Sequence, residues 1–182
     1  MDRREPGIRP RPTLGRRLDI AARFAFPGAL TALLQVLAGG PFHFGGQAEL
    51  EVAVALGSVF FWSLHRPLSL PPLLVFGLGL LADMLTEGPF GLLLFTLLLV
   101  QALAFHWRER LARQELMLVW LAFAAVALGA AALQWAVTSV LSLRLLSFGP
   151  AAFEAALAAG LYPLLAVVLG AAHHRFAEPS RA

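Results

Sequence analysis

Between residues 21 and 173 the chain is a succession of apolar runs, each interrupted only briefly by polar, proline or glycine residues, and this pattern limits its fold more than any other feature. The runs cover residues 21–38, 52–64, 71–85, 90–106, 116–141 and 151–173. An α-helix rises 1.5 Å per residue, so a hydrocarbon core ~30 Å thick needs about 20 apolar residues per crossing. Composition points the same way. The chain is 59% hydrophobic and 14% charged, whereas soluble domains carry roughly 45–50% apolar and about 25% charged residues. A soluble fold has nowhere to hide so much Leu, Ala, Phe and Val. The expectation is an all-α, polytopic integral membrane protein of about six transmembrane helices.

The breaks are themselves informative. Gly39-Gly40-Pro41 ends the first run, and His65-Arg66-Pro67 ends the second, because proline cannot continue a helix and restricts its predecessor. Pro71-Pro72 suits the first turn of the third helix. Thr86-Glu87-Gly88-Pro89 is a tight connection, residues 107–115 a charged loop, and residues 142–150 a linker. Runs two to four are short for a perpendicular span; bracketing turns and the expected interfacial positions of Trp62 and Trp107 favour counting them. Five spans, or a re-entrant pair at runs three and four, stay open. Residues 1–20 read as a basic disordered tail, 21–174 as one six-helix domain, and 175–182 as a short second tail.

Orientation follows from arginine. All fourteen cations are Arg, and with the N-terminus inside, thirteen fall on cytoplasmic segments, against Arg144 alone outside. That bias predicts N-in/C-in topology. Glu49, Glu51, Asp83, Glu87 and Glu154 then fall toward the outer side. Arg16, Arg17, Arg23, Arg108, Arg110 and Arg113 border the inner leaflet, which makes anionic lipid, not nucleic acid, the partner of the positive charge. A cleavable leader ending Val36-Leu37-Ala38 competes for the first run, but the long basic segment before it and the multispan region after it favour a retained helix.

Asp83 is the sharpest single residue, because a carboxylate is expensive within an apolar helix and such residues are often functional. If buried it needs a partner, with Arg144 or Gln134 as candidates, and the alternative is an interfacial carboxylate that reaches water. Glu49, Glu51 and Glu154 form an outward acidic patch or, more simply, solvated helix N-termini. His173 and His174 are adjacent and do not face one site on a helix; His43, His65 and His106 are isolated. The absence of cysteine excludes disulfides and thiolate metal sites. No nucleophile–base set, HExxH or phosphate-cradling loop occurs in a plausible context, so no enzyme activity, cofactor or metal is expected. Ala152, Ala156 and Gly160, like Ala125 and Gly129, recur at spacing four and are expected to serve internal helix packing.

The stretch Phe-Phe-Trp-Ser-Leu-His-Arg-Pro (residues 60–67), and then Gly-Leu-Leu-Ala-Asp-Met-Leu-Thr-Glu-Gly-Pro-Phe-Gly (79–91), an apolar helix and an Arg-rich loop, resembles the rod shape-determining protein MreD family. The matching features are Arg66-Pro67, a glycine-rich third helix with Gly77 and Asp83, and the Gly88-Pro89-x-Gly91 turn; they cover about a third of the chain. The resemblance implies a non-catalytic subunit of the cell-elongation machinery in the bacterial inner membrane. It would support peptidoglycan synthesis and cell shape beside MreC, the glycosyltransferase RodA, an elongation-class penicillin-binding protein and MreB filaments. By size and helix count, such proteins also look similar to substrate-binding subunits of energy-coupling-factor vitamin transporters. In that alternative, Asp83, Gln101 and Gln134 would line a ligand pocket.

Overall fold

A computed structural model describes residues 14–40, 45–86, 88–111 and 113–177, with side chains described within 24–173. It consists of six α-helices and one short 3₁₀ turn. In chain order these are α1 (Leu14–Ala38), α2 (Gln47–His65), α3 (Pro72–Leu85), α4 (Leu92–Leu111), α5 (Leu116–Leu141) and α6 (Gly149–Ala177). The apolar runs thus become the helices, with extensions at several ends. Helix α1 starts within the stretch expected to be a disordered tail, and α6 continues into the expected C-terminal tail. Residues 1–13 and 178–182 of those tails lie outside the described residues, as do His43 and Glu87 and the side chains of Arg16, Arg17, Arg23 and His174.

Local chemistry sets the ends. Helix α1 stops at a glycine pair, with the Gly39 amide donating to the Gln35 carbonyl at 2.8 Å. Helix α2 stops before Pro67, which opens the 3₁₀ turn Pro67–Ser69. Helix α3 opens on Pro71-Pro72, where the missing N–H groups would have had no intrahelical partner. Its other end is closed by Thr86, whose hydroxyl donates to the Ala82 carbonyl at 2.9 Å.

Among the described residues, four helices are long and apolar enough to cross a membrane: α2, α4, α5 and residues Gly149–His173 of α6, with Phe24–Ala38 of α1 a shorter apolar stretch. The 14 residues of α3 reach only about 21 Å, short of a perpendicular crossing. The exterior is as apolar as lipid requires: Leu73 is 80% exposed, and Phe95, Leu121, Leu128 and Val167 are also exposed. The protein is a helical, membrane-embedded bundle.

Helix α2 is its axis. Fourteen of its 19 residues are buried, and it packs against α1, α4 and α6. Helix α3 lies on α4 and α1, and α5 lies on α6 and α4. The α2–α5–α6 junction is aromatic: Phe123 and Tyr162 stack at 4.2 Å, and Phe60 meets them at 5.2 and 5.8 Å. Trp62 is fully buried within this core and in edge contact with Phe26 of α1. Trp107, by contrast, is 37% exposed. Trp62 lies three residues before the end of α2, but α1 and α6 cover it.

The helices alternate in direction. Glu49, Asp83, Leu92, Gln134 and Glu154 meet at one end of the bundle, which carries the α1–α2, α3–α4 and α5–α6 connections. His65, Leu111, Leu116 and His173 meet at the other. The small-residue stripes do not serve internal packing as expected. Ala152, Ala156 and Gly160 are exposed on α6, while the neighbouring Ala151, Ala155 and Ala158 are the buried ones. Ala125 and Gly129 likewise line a surface groove between α4 and α5.

Candidate functional site

Helix α4 begins, like any helix, with backbone N–H groups that have no carbonyl to bond. Asp83, in the last turn of α3, supplies the missing acceptors. One carboxylate oxygen accepts from the Leu93 amide at 3.1 Å, and the other accepts from Gly91 at 3.0 Å and Leu94 at 3.2 Å. The group is only 7% exposed, and the positive end of the α4 dipole faces it. Asp83 is thus an N-cap delivered from a neighbouring helix. This overturns the expected partners. Arg144 lies exposed in the α5–α6 connection, and Gln134 donates instead to Glu154 at 3.3 Å.

Two glycines make the clasp possible, and they are not both the ones the motif suggested. Gly91 sits at φ 88°, a left-handed conformation that turns the chain into α4. Gly79 lets α3 touch α4: a Cβ there would stand 2.7 Å from the Leu94 Cα. By contrast, Gly77 and Gly88 have open space around them. Pro89 forms the turn itself, its carbonyl accepting from the Leu92 amide at 3.1 Å.

The far end of α3 is tied down as well. Gln101 of α4 donates to the Leu70 carbonyl at 2.7 Å in a buried position. Arg66 and Pro67 belong to this end, where the Arg66 carbonyl accepts from the Ser69 amide at 3.0 Å. They stop α2 and do not meet Asp83. Arg110 and Arg113 are exposed at the same end, and the Arg108 guanidinium lies 4.3 Å over the Phe105 ring.

Beside the clasp, a cavity of about 430 Å³ opens among α2, the α3–α4 turn, α5 and α6. Asp83, Thr86, Gly88 and Pro89 form one wall, and Gln134, Trp135 and Glu154 another. The Trp135 indole is fixed by donating to the Leu146 carbonyl at 3.0 Å. Glu49 and Glu154 face this cavity together, and among the described residues no cationic side chain lines it. The expected three-acid patch is therefore two acids. Glu51 turns away and is buried beside Gln47. Gln101 also falls outside the cavity, at the opposite end of α3. Among the described residues, no group of three or more His, Cys, Asp or Glu side chains gathers in a way that could hold a metal ion.

Several important polar residues escaped sequence reasoning. Thr31, Gln35 and Ser58 are buried; their signal was a polar side chain recurring on one helical face, with Thr31 and Gln35 four residues apart.

Comparison with protein-family models, curated proteins and solved structures finds no match to this chain. The fold and site define a class: a membrane-embedded helical bundle with an aspartate-clasped hairpin forming one wall of an acid-lined cavity.

Proposed function

We propose that the chain is a non-catalytic membrane subunit of the bacterial cell-elongation complex, similar to MreD. It lies in the inner membrane with both termini in the cytoplasm and supports peptidoglycan synthesis through MreC, RodA and an elongation-class penicillin-binding protein, with MreB filaments on the inner side. The arginine distribution supports the orientation, since thirteen of fourteen lie on the segments assigned to the cytoplasm. There they hold anionic lipid. One observation carries the functional reading. The Asp83 clasp fixes the Gly88–Gly91 turn, one of the segments that carry the resemblance, as a wall of an open cavity at the cation-poor end. A wall of fixed shape suits protein docking, because little order has to be created on binding.

Mild-detergent affinity purification from the native host tests this. MreC together with RodA or its penicillin-binding partner should be recovered above an unrelated six-helix control. An Asp83→Ala variant that inserts stably and fully supports rod shape would remove the clasped hairpin from the contact.

A second reading has its own observation. The 430 Å³ cavity falls within the range of about 300–1,000 Å³ typical of small-molecule sites, which favours a substrate-binding transporter subunit. Against it, both Asp83 oxygens are already engaged and Gln101 is remote. A co-purifying metabolite with transporter ATPase subunits, and no wall-synthesis proteins, would select this alternative.

A further inference from the structure

The seam between α1 and α2 contains buried polar groups that have no hydrogen-bond partner among the described residues. On α2, Glu51, Ser58 and Trp62 fall on one stripe, at spacings of seven and four residues. On α1, Gln35 occupies the buried face, one turn after Thr31. The contact between Phe26 and Trp62 fixes the register of the two antiparallel helices. Nine residues further along α1 and nine back along α2, Gln35 comes level with Ala53, between Glu51 and Ser58. An independent contact agrees: a Cβ on Gly39 would lie 3.2 Å from Glu51 Oε1 and 3.3 Å from the Gln35 carbonyl.

The side chains are 2% exposed at Gln35, 7% at Glu51, and fully buried at Ser58 and Trp62. Among the described residues, both amide atoms of Gln35, Glu51 Oε2, Ser58 Oγ and Trp62 Nε1 have no hydrogen-bond partner. Burying such groups unpaired costs about 1–3 kcal/mol each. Thr31 and Ser63, on the same two helices, avoid that cost by donating to the Pro27 and Val59 carbonyls, at 2.8 and 2.6 Å. Ser58 makes no such bond.

We infer that this seam binds a file of internal water molecules, running from Glu51 past Gln35 and Ser58 to Trp62. The chemistry of the unpaired atoms selects water. The Gln35 amide, the Ser58 hydroxyl and the Trp62 indole need an acceptor, whereas Glu51 and the Gln35 oxygen need a donor. A metal cation supplies neither an acceptor nor a hydrogen to donate. Water supplies both, and buried waters commonly make about three such bonds. Glu51 and Trp62 are eleven residues apart, about 16 Å along the helix, farther than one water can bridge, so more than one is needed to reach all the unpaired atoms. Gln47 closes the Glu51 end by donating to the Gly40 carbonyl.

X-ray hydroxyl-radical footprinting of the full chain in lipid nanodiscs tests the inference, because radicals formed from bound water label the side chains beside it. Trp62, though fully buried, should be modified within a few-fold of the rate at the exposed Trp107. In a Gln35→Leu/Ser58→Ala variant the Trp62 rate should fall several-fold while that of Trp107 is unchanged. An unmodified Trp62 in the parent chain, or a Trp62 rate indifferent to the double substitution, overturns the proposal. The thermal midpoint of Gln35→Leu alone gives a second arm. A dry seam predicts a rise, because an unsatisfied amide is removed; a hydrated seam predicts no rise. A midpoint that depends on sodium against choline at equal ionic strength would mark a cation site and overturn the assignment to water.

Discussion

Asp83 and Glu51 are the same functional group at the same depth of burial, each 7% exposed, yet their surroundings are opposite. Asp83 receives three backbone amides, two from the first turn of α4 and one from Gly91 just before it. Glu51 has one long contact, from Gln47 at 3.5 Å, and its other oxygen has no protein partner. The difference lies in what each helix presents. Helix α3 ends against the start of α4, where unsatisfied N–H groups are concentrated. Glu51, in the second turn of α2, instead lies beside Gly39 at the C-terminal end of α1, where the unsatisfied backbone groups are carbonyls and not amides, so a carboxylate there finds only side chains as donors. A buried acid that faces a helix N-terminus is therefore a structural staple, and one that faces a helix C-terminus is left for something other than the protein backbone to satisfy.

The largest test of this contrast is Asp83→Ala. It strips acceptors from three amides, and unsatisfied backbone groups inside a bilayer cost several kcal/mol each. Some will find water near the bundle end, so a loss of about 3 kcal/mol or more in unfolding free energy is expected. Unfolding in mixed detergent micelles, followed by circular dichroism, measures it. A loss below about 1 kcal/mol would mean the clasp is not what holds α3 to α4.

Gly79→Ala should come next. The new methyl meets the Leu94 backbone, which cannot swing aside as a side chain can, so α3 and α4 must separate at a cost of about 1–3 kcal/mol. Gly77→Ala, two residues away in open space, should be neutral or slightly stabilising, since alanine favours helix by about 1 kcal/mol over glycine. Equal effects at the two sites in the same assay would remove the close approach from the account. Gly91→Ala should cost about 1 kcal/mol, because its φ of 88° lies in the left-handed region that side chains resist.

Much of the bundle was legible in the sequence because a membrane helix announces itself by length and apolarity. The fifth run, residues 116–141, matches α5 at both ends. Asp83 was conspicuous for the same reason: a lone charge in an apolar run needs an explanation. Its partner was not legible, because backbone amides carry no residue identity, whereas the side chains of Arg144 and Gln134 do. Which glycine matters was also hidden. Gly77 and Gly79 are two residues apart and face different surroundings, and only packing distinguishes them. The α1–α2 seam was missed because Gln35 and Ser58 are uncharged and singly unremarkable in hydropathy; they become a feature only once two helices bring them level.

The smallest expected effect sharpens the comparison most. Glu51→Gln preserves shape, keeps an acceptor toward Gln47, and removes an oxygen that no protein group uses, so stability should change by within about 0.5 kcal/mol. The matched change, Asp83→Asn, turns one acceptor into an N–H₂ that faces amide donors, and should cost about 1–3 kcal/mol. Both substitutions delete one oxygen acceptor from an equally buried acid, so burial cancels between them and only the partners differ. Parallel unfolding curves would expose a shared dependence on burial, and the distinction between staple and open site would fail. Separation in the stated order ties the cost of each change to the number of protein hydrogen bonds its oxygen accepts.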